Sequence, residues 1–280
     1  MTDSSISPLV DVSWLKSRLD SPGIVVLDVR TPPNGGFIPG SVHSDYATAG
    51  WRAVVGGGAG MLPEPAVLEG LIGGLGIGNG DHVVLVAAGA NASDMGNATR
   101  VYWTFKMLGH DAVSVLDGGF AAWTAAGAAV VPQPAVRKPT SFTAHPRSGL
   151  RATVAEVEAA VKAGGTPLHD ARSAEQFAGK AKSPQARAAG TIPGSVNLDI
   201  APLFSAVEHR FASAETVKAM AGQAGLPLQD QPITFCNTGH LASVSWFALS
   251  EIAGVPGVRL YDGSMSEWSA DPERPLQTEG

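Results

Sequence analysis

The sequence has one cysteine, few charged side chains, no cluster of basic residues and no long apolar run. A single cysteine, Cys236, cannot form an internal disulfide bond. Without a basic stripe to neutralise phosphates, the chain is not expected to bind nucleic acid. No apolar run approaches the roughly 20 residues that a membrane helix needs. Residues 1–5 also lack the basic start and apolar core of a signal peptide. These absences predict a soluble, cytoplasmic protein.

The composition predicts a folded protein of two domains. Apolar residues make up 44 % of the 280 positions, and charged residues make up 16 %, which excludes a disordered chain. A single hydrophobic core usually stops growing below this length, so two domains are expected. Two complete domains need no partner to bury their cores, and we therefore predict a monomer.

Three short motifs occur twice, in the same order and offset by 142 to 154 residues, which indicates a duplicated domain. The repeated motifs are an Asp-x-Arg (residues 27–30 and 169–172), an Ile-Pro-Gly-Ser-Val (38–42 and 192–196), and an Asp-Gly-Gly or Asp-Gly-Ser with a later Trp (116–123 and 261–268).

Each copy is predicted to be a parallel α/β sheet flanked by helices. Short apolar runs of the kind that form buried parallel strands alternate with helical patterns. The predicted strands are 23–29, 82–87, 112–116, 167–171, 232–235 and 257–261, and the predicted helices are 98–108 and 242–253. The proline-rich residues 132–146 are the predicted linker between an amino-terminal domain (1–131) and a carboxyl-terminal domain (147–280). The glycine-rich residues 56–60 are predicted to be a loop.

Cys236 is the one side chain that is placed for covalent chemistry. It ends a predicted buried strand and precedes a helix, and ligands of open α/β sheets bind at this edge. The intervening backbone N–H groups, with Gly239 at a positive φ, form a nest that attracts anions and favours a thiolate. The alternative is that Cys236 is a small buried hydrophobe. Residues 84–89 of the first copy carry no nucleophile, so the first domain is predicted to be inactive.

Taken together, these motifs resemble tandem-domain rhodanese-type sulfurtransferases. The resemblance implies that Cys236 takes a sulfane sulfur from thiosulfate or 3-mercaptopyruvate and passes it, through a persulfide, to cyanide or a thiol. It implies a persulfide cradle and a second group of residues that bind substrate or support the loop, and no metal or organic cofactor. The cradle residues are Asn237, Thr238, Gly239, His240, Leu241 and Ala242, and the second group is Asp170, Arg172 and Gln176.

Several positions differ from familiar members of that family. The loop reads Cys-Asn-Thr-Gly-His, where mercaptopyruvate enzymes typically have Cys-Gly-Ser-Gly-Val and mammalian thiosulfate enzymes have Cys-Arg-Lys-Gly-Val. Gln176 stands where familiar members have an arginine that contacts the substrate anion, and Phe37 stands where a histidine is common. Because that histidine is proposed to move protons in mercaptopyruvate enzymes, we predict thiosulfate as the donor and keep 3-mercaptopyruvate as the alternative.

Other functions are weighed against this interpretation. Cysteine phosphatases need an arginine six residues after the cysteine, where this sequence has Ala242. The seven scattered histidines and one cysteine have no zinc-ligand spacing. A persulfide carrier or a redox-sensing interaction module is the non-enzymatic alternative. The His240 side chain is either a cation that favours the thiolate or a packing residue, and the sequence leaves both open.

Overall fold

The computed structural model describes residues 6–278, which form two compact units. The first unit holds the residues up to Trp51, together with Pro63–Arg147 and Ser205–Phe211. The second unit holds Arg52–Leu62, Ser148–Phe204 and the residues from Ala212 onward. Residues 1–5, on which the expectation of no signal peptide rests, lie outside the described range.

The secondary structure alternates short strands with helices. The strands are β1 (Leu9–Val10), β2 (Ile24–Asp28), β3 (Val42–His43), β4 (Ala53–Val55), β5 (Gly58–Met61), β6 (His82–Val86), β7 (Val113–Leu116), β8 (Leu168–Asp170), β9 (Ser195–Asn197), β10 (Phe204–Ser205), β11 (Arg210–Phe211), β12 (Ile233–Phe235) and β13 (Arg259–Leu260). The helices are α1 (Val12–Lys16), α2 (Pro65–Gly74), α3 (Ala92–Met107), α4 (Gly119–Ala125), α5 (Val154–Ala163), α6 (Ala174–Phe177), α7 (Ala214–Gln223), α8 (His240–Trp246) and α9 (Ser264–Trp268), and α8 continues as a π-helical segment (Phe247–Ile252). Within the described residues, no helix is both long and apolar enough to cross a membrane.

The first unit is built on a five-stranded sheet in the order β1-β7-β6-β2-β3, and every neighbouring pair is parallel. The central strands β2 and β6 are buried almost throughout, which is why their sequences read as continuous apolar runs. One face packs a core of apolar side chains from the strands and from the helices α1 and α4. Its members include Val10, Leu15, Val26, Val84, Leu116, Phe120 and Trp123.

The second unit repeats this arrangement with a four-stranded parallel sheet in the order β13-β12-β8-β9. This order matches β7-β6-β2-β3 of the first unit. A single parallel bridge between Arg151 and Leu260 takes the place of the β1–β7 pairing. The duplicated sequence motifs therefore correspond to a duplicated fold, and the predicted α/β class is confirmed.

The six predicted strands are all present, with ends that differ by two residues or fewer. The predicted helix 98–108 is longer in the structure. α3 begins at Ala92 because the Asn91 side chain caps it by accepting a hydrogen bond from the Asp94 N–H. The predicted helix 242–253 begins at His240 and becomes π-helical from Phe247.

The prediction that residues 56–60 form a loop is correct for Gly56 and Gly57 and wrong for residues 58–60. Residues 58–60 belong to β5, which pairs antiparallel with β4. Gly56 and Gly57 form the two-residue turn between them at φ values of 57° and 90°. A hairpin turn with two positive φ values requires residues such as glycine, so the glycine run makes a hairpin instead of an irregular loop.

The sequence did not predict that two short segments would be exchanged between the units. Arg52–Leu62, which carries the β4–β5 hairpin, belongs to the second unit, and Ser205–Phe211 belongs to the first. The predicted linker, residues 132–146, has no helix or strand. It runs along the first unit, where the Thr140 N–H donates to the Gly73 carbonyl at 2.9 Å and the His145 N–H donates to the Leu108 carbonyl at 2.8 Å.

Candidate active site

Cys236 directly follows β12, at the carboxyl end of a strand inside the second sheet. It is a free cysteine and is 1 % exposed. Its carbonyl accepts a hydrogen bond from the Met265 N–H at 3.0 Å, and the Asn237 carbonyl accepts one from the Ser266 N–H at 2.9 Å. The loop after β12 is thus tied through its backbone to α9.

The Cys236 loop turns into α8 through Gly239, which has the left-handed conformation (φ 73°, ψ 0°) that the sequence predicts. Because α8 begins at His240, the N–H groups of its first residues have no acceptor within the helix. These groups follow Cys236 by a few residues. The arrangement is a strand end, a glycine turn and a helix start around one thiol.

The Ser264 hydroxyl organises this loop, and the sequence analysis missed it. It accepts hydrogen bonds from the N–H groups of Cys236 at 3.0 Å and Gly239 at 3.1 Å, and it donates to the Tyr261 carbonyl at 2.8 Å. Ser264 has a φ of 52°, and the equivalent residue of the first unit, Gly119, has a φ of 59°. The sequence signal was the difference between the repeated motifs, which have a glycine at position 119 and a serine at the equivalent position 264.

The first unit has an alanine where the second has Cys236. The Ala87 carbonyl accepts from the Phe120 N–H at 2.8 Å, as the Cys236 carbonyl accepts from Met265. The loop after Ala87 also differs in its partners. The N–H groups of Gly89 and Ala90 donate to the Asp94 carboxylate at 2.6 and 3.1 Å. In the copy without a cysteine, the Asp94 carboxylate therefore accepts the hydrogen bonds of these two loop N–H groups.

Asp170 and Arg172 form a buried bidentate ion pair. The Arg172 guanidinium donates to both Asp170 oxygens at 2.7 to 3.1 Å and to the Gly190 carbonyl at 2.8 Å. The Thr191 hydroxyl donates to Asp170 at 2.7 Å. The first unit has the same pair between Asp28 and Arg30. Because the copy without a cysteine has the same ion pair, a structural role is favoured over substrate binding. In that role the pair supports the segment before β9.

Gln176, at the start of the chain's α6 region, reaches the Cys236 loop. Its Oε1 accepts a hydrogen bond from Asn237 Nδ2 at 2.9 Å. The Asn237 Oδ1 atom is buried and has no hydrogen-bond partner among the described residues. The Gln176 side chain therefore contacts the Cys236 loop through a pair of neutral amides, and its predicted role in substrate binding or loop support stays a prediction.

The other cradle residues surround the same turn. Thr238, His240 and Leu241 are partly buried, and Ala242 is fully buried in the first turn of α8. The His240 carbonyl accepts a hydrogen bond from the Ser243 hydroxyl at 2.7 Å. Phe37, the departure noted in the first copy, is a buried packing residue whose ring lies edge-on to His43 at 5.6 Å.

Two titratable residues, Tyr261 and Glu267, lie in the segment 261–268, which is hydrogen-bonded to the Cys236 loop. Burial raises the pKa of the Glu267 carboxyl above its ordinary value. Burial, and then the neighbouring Glu267 carboxyl, raise the pKa of the Tyr261 hydroxyl. Both groups are therefore uncharged more readily than in water.

A cleft of about 360 Å³ lies near the amino-terminal ends of the strands of the second sheet, whereas Cys236 lies at their carboxyl ends. The cleft is lined by residues that precede or begin β8 and β9, including Thr166, Leu168 and Val196. Ligands of open parallel sheets bind at the carboxyl ends of the strands, which is the edge of Cys236. Over residues 6–278, no group of three or more His, Cys, Asp or Glu side chains is placed to hold a metal ion.

Comparison with known proteins identifies one family in both halves. Residues 11–126 and 153–271 each match the family described as "Rhodanese-like domain". A Saccharopolyspora erythraea protein named "Putative thiosulfate sulfurtransferase" is 32 % identical over 274 residues, covering 94 % of this chain and 93 % of that protein. A Pseudomonas aeruginosa protein named "Probable 3-mercaptopyruvate sulfurtransferase" is 34 % identical over 289 residues, covering 98 % and 99 %.

Solved structures show the same fold. The 3-mercaptopyruvate sulfotransferase SseA from Escherichia coli superposes with a TM-score of 0.80 at 24 % identity, over 92 % of this chain and 98 % of that one. An anaerobic ergothioneine biosynthesis enzyme from Chlorobium limicola, in complex with trimethyl histidine, superposes with a TM-score of 0.84 at 22 % identity, over 98 % and 70 %. At these identities the likeness concerns the fold.

Proposed function

The chain belongs to the rhodanese family, as a sulfurtransferase with two rhodanese-like domains, and from that premise we propose that it moves the sulfane sulfur of thiosulfate to cyanide or a thiol through a persulfide on Cys236. The observation that carries this proposal is the position of Cys236. It stands at the carboxyl end of β12 in a loop that enters α8, and the equivalent position of the other copy is Ala87.

The proposed reaction has two displacements. The Cys236 thiolate attacks the outer sulfur of thiosulfate, the sulfur–sulfur bond of thiosulfate breaks, and sulfite leaves with the bonding electron pair. The enzyme is left with a persulfide anion. Cyanide then attacks the terminal sulfur and leaves as thiocyanate, which restores the thiolate. A thiol acceptor instead leaves as a persulfide and its proton stays with the products, so neither route needs a metal or an organic cofactor.

The loop supplies the electrostatics for an anionic intermediate. The persulfide carries a negative charge beside the first N–H groups of α8, at the positive end of the helix dipole. Ser264 holds the N–H groups of Cys236 and Gly239, which fixes the path of the loop around the thiol. We propose that residues 237–242 cradle the persulfide, with Asp170 and Arg172 as support and Gln176 beside the bound donor.

The choice of thiosulfate as the donor is supported by the Saccharopolyspora erythraea relative. That protein is named a putative thiosulfate sulfurtransferase, and the match covers 93 % of its length. The Pseudomonas aeruginosa relative, at 34 % identity, favours 3-mercaptopyruvate as a second candidate. Both relatives are named as sulfurtransferases, which favours an enzyme over the carrier or sensor that the sequence left open. The cytoplasmic location and the monomeric state stay predictions.

Intact-mass analysis after brief incubation with each donor tests the proposal. Wild-type protein is expected to gain one sulfur atom from thiosulfate, and Cys236→Ser to gain none while melting at a similar temperature. Faster uptake from 3-mercaptopyruvate would reverse the choice of donor. Uptake from neither donor, or equal uptake by Cys236→Ser, would contradict the persulfide. A large loss of thermal stability in Cys236→Ser would instead support the packing role of a buried cysteine.

A further inference from the structure

The β4–β5 hairpin comes from the first half of the sequence and is part of the second unit. Its second strand continues into Leu62, and we call residues 58–62 the β5 segment. The sequence analysis treated this glycine-rich region as a loop and gave it no function. In the structure, the β5 segment contacts the Cys236 loop at Thr238. It also contacts the segment 261–268 at Asp262 and Ser266.

Gly60 of this segment lies against Thr238, two residues after Cys236. Gly60 has a φ of 80°, and a Cβ atom at this position would lie 2.5 Å from the Thr238 carbonyl oxygen and 2.9 Å from the Thr238 Cβ. Real side chains do not tolerate such distances, and the Thr238 atoms concerned are backbone and Cβ. Only a glycine lets the two backbones lie against each other without moving the loop.

Ser266 joins the same two segments by hydrogen bonds. Its hydroxyl accepts from the Ala59 N–H at 3.0 Å and lies 3.1 Å from the Ala59 carbonyl oxygen. Its own N–H donates to the Asn237 carbonyl at 2.9 Å. One residue therefore holds the β5 segment through its side chain and the Cys236 loop through its backbone.

Asp262, the aspartate of the repeated Asp-Gly motif, anchors the end of the β5 segment. Its buried carboxylate accepts from the Leu62 N–H at 2.7 Å and from Arg151 Nε at 2.8 Å. In the first unit, the equivalent Asp117 accepts from the Phe211 N–H of the other exchanged segment at 2.9 Å. The repeated aspartate thus binds an exchanged segment in both units.

The two units differ at the next contact. The equivalent of Ser266 is Ala121, whose N–H donates to the Ala88 carbonyl at 2.9 Å but whose side chain has no hydroxyl. The hydroxyl link between an exchanged segment and the loop after the central strand therefore belongs to the unit that contains Cys236.

We propose that the β5 segment positions the Cys236 loop for sulfur transfer, with Gly60 as a positioning residue that acts through Thr238. The inference rests on the proposed function of Cys236. A side chain at position 60 pushes Thr238 and changes the direction of the N–H groups that follow it. Displacements of this order at a reacting group cost up to about a hundredfold in rate, even when the displaced residue is not the nucleophile.

The test compares Gly60→Ala with Gly56→Ala. Gly56, at the hairpin turn outside the β5 segment, also has a positive φ, 57°, but a Cβ there would meet no atom within 4 Å. Both variants carry the backbone strain of a left-handed alanine, on the order of 1 kcal/mol, and only Gly60→Ala adds contact with the loop. Single-turnover sulfur uptake from thiosulfate, steady-state kcat and KM, and the rate of Cys236 alkylation by iodoacetamide are measured together with the melting temperature.

We expect Gly60→Ala to slow sulfur uptake and alkylation by about tenfold or more and to lower kcat more than it changes KM, while Gly56→Ala stays within about twofold of wild type. Equal rates for the two variants would overturn the proposal. If Gly60→Ala does not fold, Ser266→Ala decides the question, because Ala121 shows that this backbone accepts alanine. Slowed alkylation in Ser266→Ala supports the proposal and a wild-type rate overturns it. If wild type itself takes up no sulfur, the proposed function fails, and the alkylation rates still test the positioning.

Discussion

Asn237 Nδ2 donates a 2.9 Å hydrogen bond to Gln176 Oε1, so the residue after Cys236 is held by a neutral amide at the position where familiar relatives have an arginine. The contact joins α6 to the loop that carries Cys236. It also places any side chain at position 176 within reach of the loop. We therefore predict that the charge at this position affects how the site receives an anionic donor.

Gln176→Arg is expected to lower KM for thiosulfate by about fivefold, because a cation at a partly exposed site attracts an anion by roughly 1 kcal/mol. The gain should shrink at high ionic strength. Gln223→Arg adds the same charge at the exposed end of α7 and serves as the control. Steady-state kinetics at two salt concentrations measure the effect. An unchanged KM, or an equal change in the control, would show that position 176 does not face the donor.

A cysteine placed in the first unit should not create a second active site. In the background Cys236→Ser, the variant Ala87→Cys is expected to gain no sulfur from thiosulfate. The Asp94 carboxylate already binds the N–H groups of Gly89 and Ala90, and its negative charge opposes an anionic persulfide nearby. Intact-mass analysis under the conditions used for wild type gives the answer. A gain of one sulfur atom would mean that the cysteine alone separates the active from the inactive copy.

The parallel sheets and the place of Cys236 could be predicted because both follow from local patterns. Strands buried on both faces, such as β6, leave a continuous apolar run in the sequence. A cysteine between such a run and a helix must lie at the carboxyl edge of the sheet. Gly239 at a positive φ is confirmed for the same local reason. The roles of Cys236 and its cradle in catalysis stay predictions.

The contacts that hold the loop could not be predicted, since they join residues that are far apart in the chain. Nothing in the glycine run around Gly60 shows that it will lie against Thr238. The importance of Ser264 could have been noticed in the sequence, because the equivalent residue of the first copy is Gly119. Both residues have a positive φ in the structure, and a serine in that conformation needs a reason. The exchange of segments between the units could not be recognised from the sequence, because it is set by tertiary packing.

The buried Asp-x-Arg pairs should act on stability in both units. Asp170→Asn leaves the Arg172 guanidinium buried without its counter-charge, and breaking such a pair costs about 3 to 5 kcal/mol. Asp28→Asn removes the same interaction with Arg30 and is the matched variant. We expect similar losses in urea-unfolding free energy, and kcat near wild type for both variants wherever they remain folded. A selective loss of kcat in folded Asp170→Asn would assign Asp170 a direct part in the reaction.

Glu267 should make the protein less stable as the pH rises. Burial raises the pKa of its carboxyl above the ordinary 4.5, so the folded chain binds this proton more tightly than the unfolded chain. Between the unfolded and the folded pKa, the native state holds more protons, and the free energy of unfolding falls with increasing pH. Glu267→Gln keeps a neutral side chain at every pH and lacks this decline. Urea unfolding of both proteins from pH 4 to pH 8 should therefore show the variant gaining stability relative to wild type as the pH rises above about 4.5. Parallel profiles would mean that the Glu267 carboxyl titrates alike in the folded and unfolded chains.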